Sequence, residues 1–140
     1  MKLAFFSFFP VLKADFVSWD DDVHLFENAS VRSLDQDHLE EMFAKTINAV
    51  YIPLTSLSFA LEYRFFGYHP FIYHLDNLLL HLLTTIFVFF FVRQLGLSFF
   101  ASALAALLFS IHPSRVESVA WVTERKDVLY GFFYMAALLS

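Results

Sequence analysis

The stretch PFIYHLDNLLLHLLTTIFVFFFVR (Pro70–Arg93), followed at once by QLGLSFFASALAALLFSI (Gln94–Ile111), decides the fold class. The second stretch carries no charge and reaches the roughly 18-residue length of a spanning-helix candidate. The first is as apolar from Leu82 to Val92, and its more polar opening turns from Pro70 make a helix long enough to cross a hydrocarbon core of about 30 Å. Residues 70–93 and 97–112 are therefore read as two membrane spans.

The rest of the composition agrees. Of 140 residues 59% are hydrophobic, 20 are Phe and 16% are charged, against roughly 45–50% apolar and about 25% charged in an ordinary soluble domain. Such a chain has too little polar surface to face water everywhere. The net charge of -5 argues against a nucleic-acid partner, which calls for a basic surface. The absence of Cys removes disulfides, zinc thiolates and Cys nucleophiles and says nothing about redox compartment.

MKLAFFSFFPVL (Met1–Leu12) is apolar but too short to cross, so residues 1–14 read as a shortened first span. A secretory signal is the rival, weakened by Pro10, Lys13 and the lack of a small-residue cleavage site. Residues 128–140 read as the start of a further span. Both ends are expected to be cuts in a longer membrane protein.

Residues 15–69 have the character of a loop outside the bilayer. Ser33 with Gln36 forms a capping-box pattern ahead of Leu39, Met42, Phe43 and Ile47 at helical spacing. Pro53 suits the first turn of a second helix, on which Leu54, Leu57, Leu61 and Phe65 recur before Gly67 stops it. Both helices are expected to lie flat at the membrane interface. Arg93, the lone charge between the two spans, weakly assigns that connection to the cytoplasm. The loops 15–69 and 113–127 then share the extracytoplasmic face. The whole is an all-α polytopic membrane domain without repeats or linkers.

Three groups of residues carry candidate chemistry. Trp19-Asp20-Asp21-Asp22 puts three carboxylates side by side, where mutual repulsion raises proton affinity and suits a base or a metal ligand. The bland reading is a solvated acidic turn. HPSRVESVAWVTERKDV (His112–Val128) offers a short helix from Pro113 with Glu117 and Trp121 four apart, then the run Glu124-Arg125-Lys126-Asp127. Its cations suit an anion such as phosphate, or they pair among themselves and anchor a helix end. His74, Asn77, His81 and Thr84 make a polar stripe on one face of the first span, read as helix-packing hydrogen bonds or as the wall of a substrate cavity. As a metal site that stripe is poor, because no third strong ligand is in register.

The series FVSWDDDVHLFEN (Phe16–Asn28), YIPLTSLSFALEYRFFGYHPFIYHLDNLLLH (Tyr51–His81) and ALLFSIHPSRVESVAWVTERKDVL (Ala106–Leu129) resembles the N-terminal membrane part of one family. It is similar to the tetratricopeptide-repeat-containing membrane proteins related to protein O-mannosyltransferases, and nearest to their bacterial members. The resemblance implies a GT-C glycosyltransferase fold, and with it transfer of a sugar from a polyprenyl-phosphate carrier to an extracytoplasmic acceptor such as protein. It implies Asp20 as the base that deprotonates the acceptor hydroxyl and Asp21 as its partner, in a pattern Asp20-Asp21-x-x-His24 similar to the family's Asp-Glu-x-x-Tyr. It also implies that His112, Glu117, Arg125, Lys126 and Asp127 bind the carrier phosphate; where the polar stripe is a cavity wall, His74, Asn77 and His81 are the lining residues. No cofactor is implied, and a divalent metal finds no support beyond the acidic triplet. The implied setting is a bilayer, the bacterial plasma membrane or, in a eukaryote, the endoplasmic reticulum.

The departures from the family are a first span cut to about a dozen residues and the lack of later spans and repeats. The chain alone is expected to be inactive, and the glycosyltransferase function belongs to its parent. The rival reading is a non-catalytic membrane anchor or assembly partner, or an inert gene remnant. A proton path through His74, Asp76 and His81 is a third, weaker reading.

Overall fold

The computed structural model describes residues 2–140, and among them every regular element is helical. Seven α-helices follow one another: α1 (Lys2–Phe8), α2 (Gln36–Ala44), α3 (Pro53–Phe66), α4 (Pro70–Gln94), α5 (Phe99–Ile111), α6 (Arg115–Ala120) and α7 (Arg125–Leu139). Pro53 and Pro70 open α3 and α4, where a missing N–H costs nothing. Gly67 ends α3 at φ 61°, ψ −154°, a conformation open only to glycine, with its N–H on the Tyr63 carbonyl at 2.8 Å.

α4 is the axis, with α5 and α7 packed along it. Among the described residues it alone is long and apolar enough to cross a membrane. α5 is a shorter apolar helix of 13 residues, which at 1.5 Å per residue is about 20 Å and falls short of a full crossing on its own. Two cores lie along the axis. One joins Ala4, Phe8 and Leu12 to Leu78, Leu82, Val119 and Val128. The other joins Leu25, Val31, Met42, Phe59 and Ala60 to Tyr73 and Val122.

Burial runs against the habit of a water-soluble domain. Asp21, Glu62, His74, Asn77, His81 and Arg125 are buried, while Phe65, Phe90, Phe100, Leu104 and Phe133 are exposed. A lipid surrounding would favour such a pattern, because hydrocarbon accommodates exposed Phe and offers no water to polar groups.

α2 and α3 depart from expectation. The N-cap of α2 is Asp35, which accepts the His38 N–H at 3.0 Å, and Ser33 donates to Asp35 instead of capping. That carboxyl is held down to about 2, first by the His38 backbone N–H and then by the His38 ring. Ile47 lies beyond the helix in a bridge with Val50. In α3 the expected stripe is the outward one. Leu54, Leu61 and Phe65 are exposed, and Thr55, Ser56, Phe59, Ala60 and Glu62 form the buried face. The helices pack on each other and on the chain around Ala29–Arg32. Hydrogen-bonding groups set that rotation, because Glu62 faces a buried arginine.

A candidate site where two loops meet

The acidic segment enters the fold as one helical turn. After the extended stretch at Phe16 and Val17 the chain turns helical at Asp20 and widens into a π-helical turn over Asp22–Phe26, closed by the Glu27 N–H on the Asp22 carbonyl at 2.8 Å. Such turns give up regular bonding to re-aim side chains and recur at functional sites. The three carboxylates differ in burial. Asp21 is fully buried and accepts two backbone N–H groups, from Val17 at 2.9 Å and from Thr123 at 3.2 Å. The second bond spans 102 positions of sequence and ties the acidic turn to the loop before α7. Asp20 and Asp22 are half-buried.

The same contact brings in Lys126 and Glu124. Lys126 pairs with Glu124 at 2.7 Å, and both lie close enough to His24 for their charges to act on it, together with those of Asp20 and Asp21. Burial pushes the His24 imidazole below its ordinary value, the neighbouring carboxylates only partly opposing it. His24 is thus neutral near pH 7, and its Nδ1 has no hydrogen-bond partner. Thr123 Oγ1 beside Asp21 is likewise buried and unbonded. A base, a cation and free polar atoms therefore share one seam. Lys126 also lines an apolar groove of about 520 Å³ along α7, walled by Ile52, Leu54, Leu129, Tyr130 and Phe133.

The remaining residues of the 112–127 block go elsewhere. The loop helix, α6, ends at Ala120, so Trp121 is extended and does not share a helical face with Glu117, which is exposed. Glu124-Arg125-Lys126-Asp127 is the turn into α7 rather than a free loop. His112 accepts the Ser114 N–H on Nδ1 at 3.2 Å in an exposed turn. Asp127 is exposed and takes a bond from Ser118 at 3.4 Å, on the side of a narrow cleft with His81 and Arg115. Neither residue joins Asp20.

Arg125 turns inward and is fully buried. Its Nε donates to Asn77, its Nη1 to Ser58 Oγ at 3.2 Å, and its Nη2 to the Tyr73 carbonyl at 2.8 Å. Glu62 lies 2.9 Å and Asp76 3.8 Å away, and the guanidinium sits over the Phe59 ring. An arginine so buried and so held does not present its guanidinium to an external phosphate. Asn77 also donates to the Trp121 carbonyl at 3.0 Å, and His81 Nε2 donates to the Ser110 carbonyl at 2.9 Å, so these two serve contacts between helices. His74 is buried with neither ring nitrogen bonded. Among the described residues no three His, Asp or Glu side chains gather as a metal site.

Glu62 was not singled out by sequence pattern, although a carboxylate opposite the leucines of an apolar helix is a signal that it has a partner. Burial pushes its carboxyl up to about 8, against the pull of Arg125 and with the help of Asp76. Its value rises from an ordinary 4.5, so proton uptake at Glu62 stabilises the fold fully below about pH 4.5 and the contribution is lost as pH rises through about 8. Thermal stability in detergent is therefore expected to fall between pH 6 and pH 9. In Glu62→Gln that fall is expected to flatten, and an unchanged slope would assign it to other groups.

No family model and no solved structure matches the chain. Curated relatives do. Protein O-mannosyl-transferase TMTC3 of Homo sapiens is 39% identical over 90 residues, covering 64% of this chain and 10% of that protein. Protein O-mannosyl-transferase TMTC4 of Homo sapiens is 37% identical over 111 residues, covering 69% and 15%. Protein O-mannosyl-transferase Tmtc1 of Drosophila melanogaster is 40% identical over 88 residues, covering 63% and 10%. The chain is thus related to these proteins and spans about a tenth to a seventh of their length.

Proposed function

We propose that this chain, a relative of the TMTC protein O-mannosyl-transferases, forms the acceptor-activating and carrier-binding part of a GT-C glycosyltransferase that moves a sugar from a polyprenyl phosphate to a protein hydroxyl outside the cytoplasm. The observation that carries the reading is the Thr123–Asp21 hydrogen bond, because it joins the acidic turn to the cationic start of α7, where Lys126 also lines an apolar groove. Asp20 takes the proton of the acceptor hydroxyl as its oxygen attacks the sugar anomeric carbon. The bond from that carbon to the carrier phosphate oxygen breaks, and the phosphate leaves with the electron pair. Lys126 meets the charge that grows on it, exchanging Glu124 for the phosphate. The isoprenoid tail lies along Leu54, Leu129 and Phe133. Asp21 holds the turn rather than the proton, and Arg125 is a structural cation in this scheme.

The test is binding of undecaprenyl phosphate to the protein in vesicles of neutral lipid. Saturable binding is expected, weakened roughly ten- to a hundredfold in Lys126→Gln, the scale of a charge-assisted hydrogen bond. Equal binding by wild type and Lys126→Gln would refute the phosphate assignment.

A further inference from the structure

We infer that Arg125 is a positioning residue: clamped between α3 and α4, it sets the rotation of α7 and thereby aims Lys126 at the Asp20 seam. The anchor points come from two helices. Ser58, Phe59 and Glu62 are on α3, and Tyr73, Asp76 and Asn77 are on α4. Arg125 is the first residue of α7. Successive residues of a helix point about 100° apart around its axis, so fixing Arg125 inward fixes where Lys126 stands. The planar guanidinium, with five donors in a rigid fork, resists rotation in a way that a single ammonium cannot.

The backbone just before α7 is held from the same point. Asn77 accepts from Arg125 Nε and donates to the Trp121 carbonyl, so one side chain ties both ends of the 121–125 turn to α4. Between those ends lies Thr123, whose N–H reaches Asp21. The clamp therefore holds Lys126 and the anchor of the acidic turn in one register. It acts through them and touches neither donor nor acceptor.

The chain has no Cys, which permits paired spin labels at chosen positions. One pair, at Trp19 and Tyr130, both exposed, reads the distance from the acidic turn to α7. A control pair at Phe90 and Leu104, both exposed, reads α4 against α5. Arg125→Lys is expected to broaden or shift the first distance and leave the second unchanged. Asn77→Ala keeps the cation and is expected to do the same, so it serves if Arg125→Lys does not fold. Ser58→Ala, which removes a single 3.2 Å bond, is expected to change neither. An unaltered Trp19–Tyr130 distance in both Arg125→Lys and Asn77→Ala would overturn the clamp, and so would equal broadening of both pairs, which marks a general loss of packing.

Undecaprenyl phosphate affinity, which rests on the carrier reading above, is measured on the same variants without labels, because Tyr130 lines the groove. Lys126→Gln is expected to lose affinity with the distance intact, and Arg125→Lys to lose about tenfold together with the distance. If wild type binds none, the carrier reading fails while the distances still decide the clamp.

Discussion

Asp20→Asn is expected to lower sugar transfer in native membranes by roughly 10²–10⁴-fold, the range of a lost general base, without lowering the amount of protein in the membrane. The substitution keeps shape and removes only the ability to take a proton. Among the described residues the Asp20 carboxylate accepts no hydrogen bond from the protein and is only half-buried, so the substitution is expected to leave folding intact. The neighbour behaves differently. In Asp21→Asn one acceptor oxygen becomes an NH₂ facing a backbone N–H, from Val17 or from Thr123. A buried amide without its acceptor costs about 1–3 kcal/mol, so this variant is expected to lose abundance as well as transfer. Normal transfer by Asp20→Asn would end the assignment of the base. Reduced abundance of Asp20→Asn, equal to that of Asp21→Asn, would make both residues structural.

How far the sequence speaks depends on the scale of the feature. Helices 53–66 and 70–94 are legible because a proline opens each and a long apolar pattern fills it. Which face of α3 is buried is not, since a carboxylate whose partner lies far along the chain overrides the leucine stripe. Leu61 and Phe65 are exposed because Glu62 has to reach Arg125. That pairing lies beyond sequence reading, as residues 62 and 125 are on helices far apart in the chain that meet only in the fold. The π-helical turn at Asp22 is equally hidden, and it separates three adjacent aspartates into one buried anchor and two half-buried groups. The resemblance points to the Glu124–Asp127 run as a phosphate-binding unit. Geometry divides that run, with Arg125 facing inward, Lys126 on the groove and Asp127 on another side.

Replacing Arg125 by Met is expected to cost about 3–5 kcal/mol, the scale of removing one partner from a buried charged network. Three acceptors lose a donor at once, Asn77 Oδ1, Ser58 Oγ and the Tyr73 carbonyl, and Glu62 loses its ion pair. Methionine fills much of the volume, so the loss comes mainly from unsatisfied polar groups rather than from a cavity. Asp76 is 46% exposed on its side chain and can turn to solvent, whereas Glu62 at 5% cannot. The double variant Glu62→Leu/Arg125→Met is for that reason expected to be more stable than Arg125→Met alone, with a coupling of about 1–3 kcal/mol. Unfolding in detergent, followed by helical circular dichroism, measures each. A single variant that costs under about 1 kcal/mol would mean that water enters and satisfies the site. A double variant no better than the single would mean that Glu62 is not Arg125's energetic partner, and the register of α7 would then depend on Asn77 and the Tyr73 carbonyl.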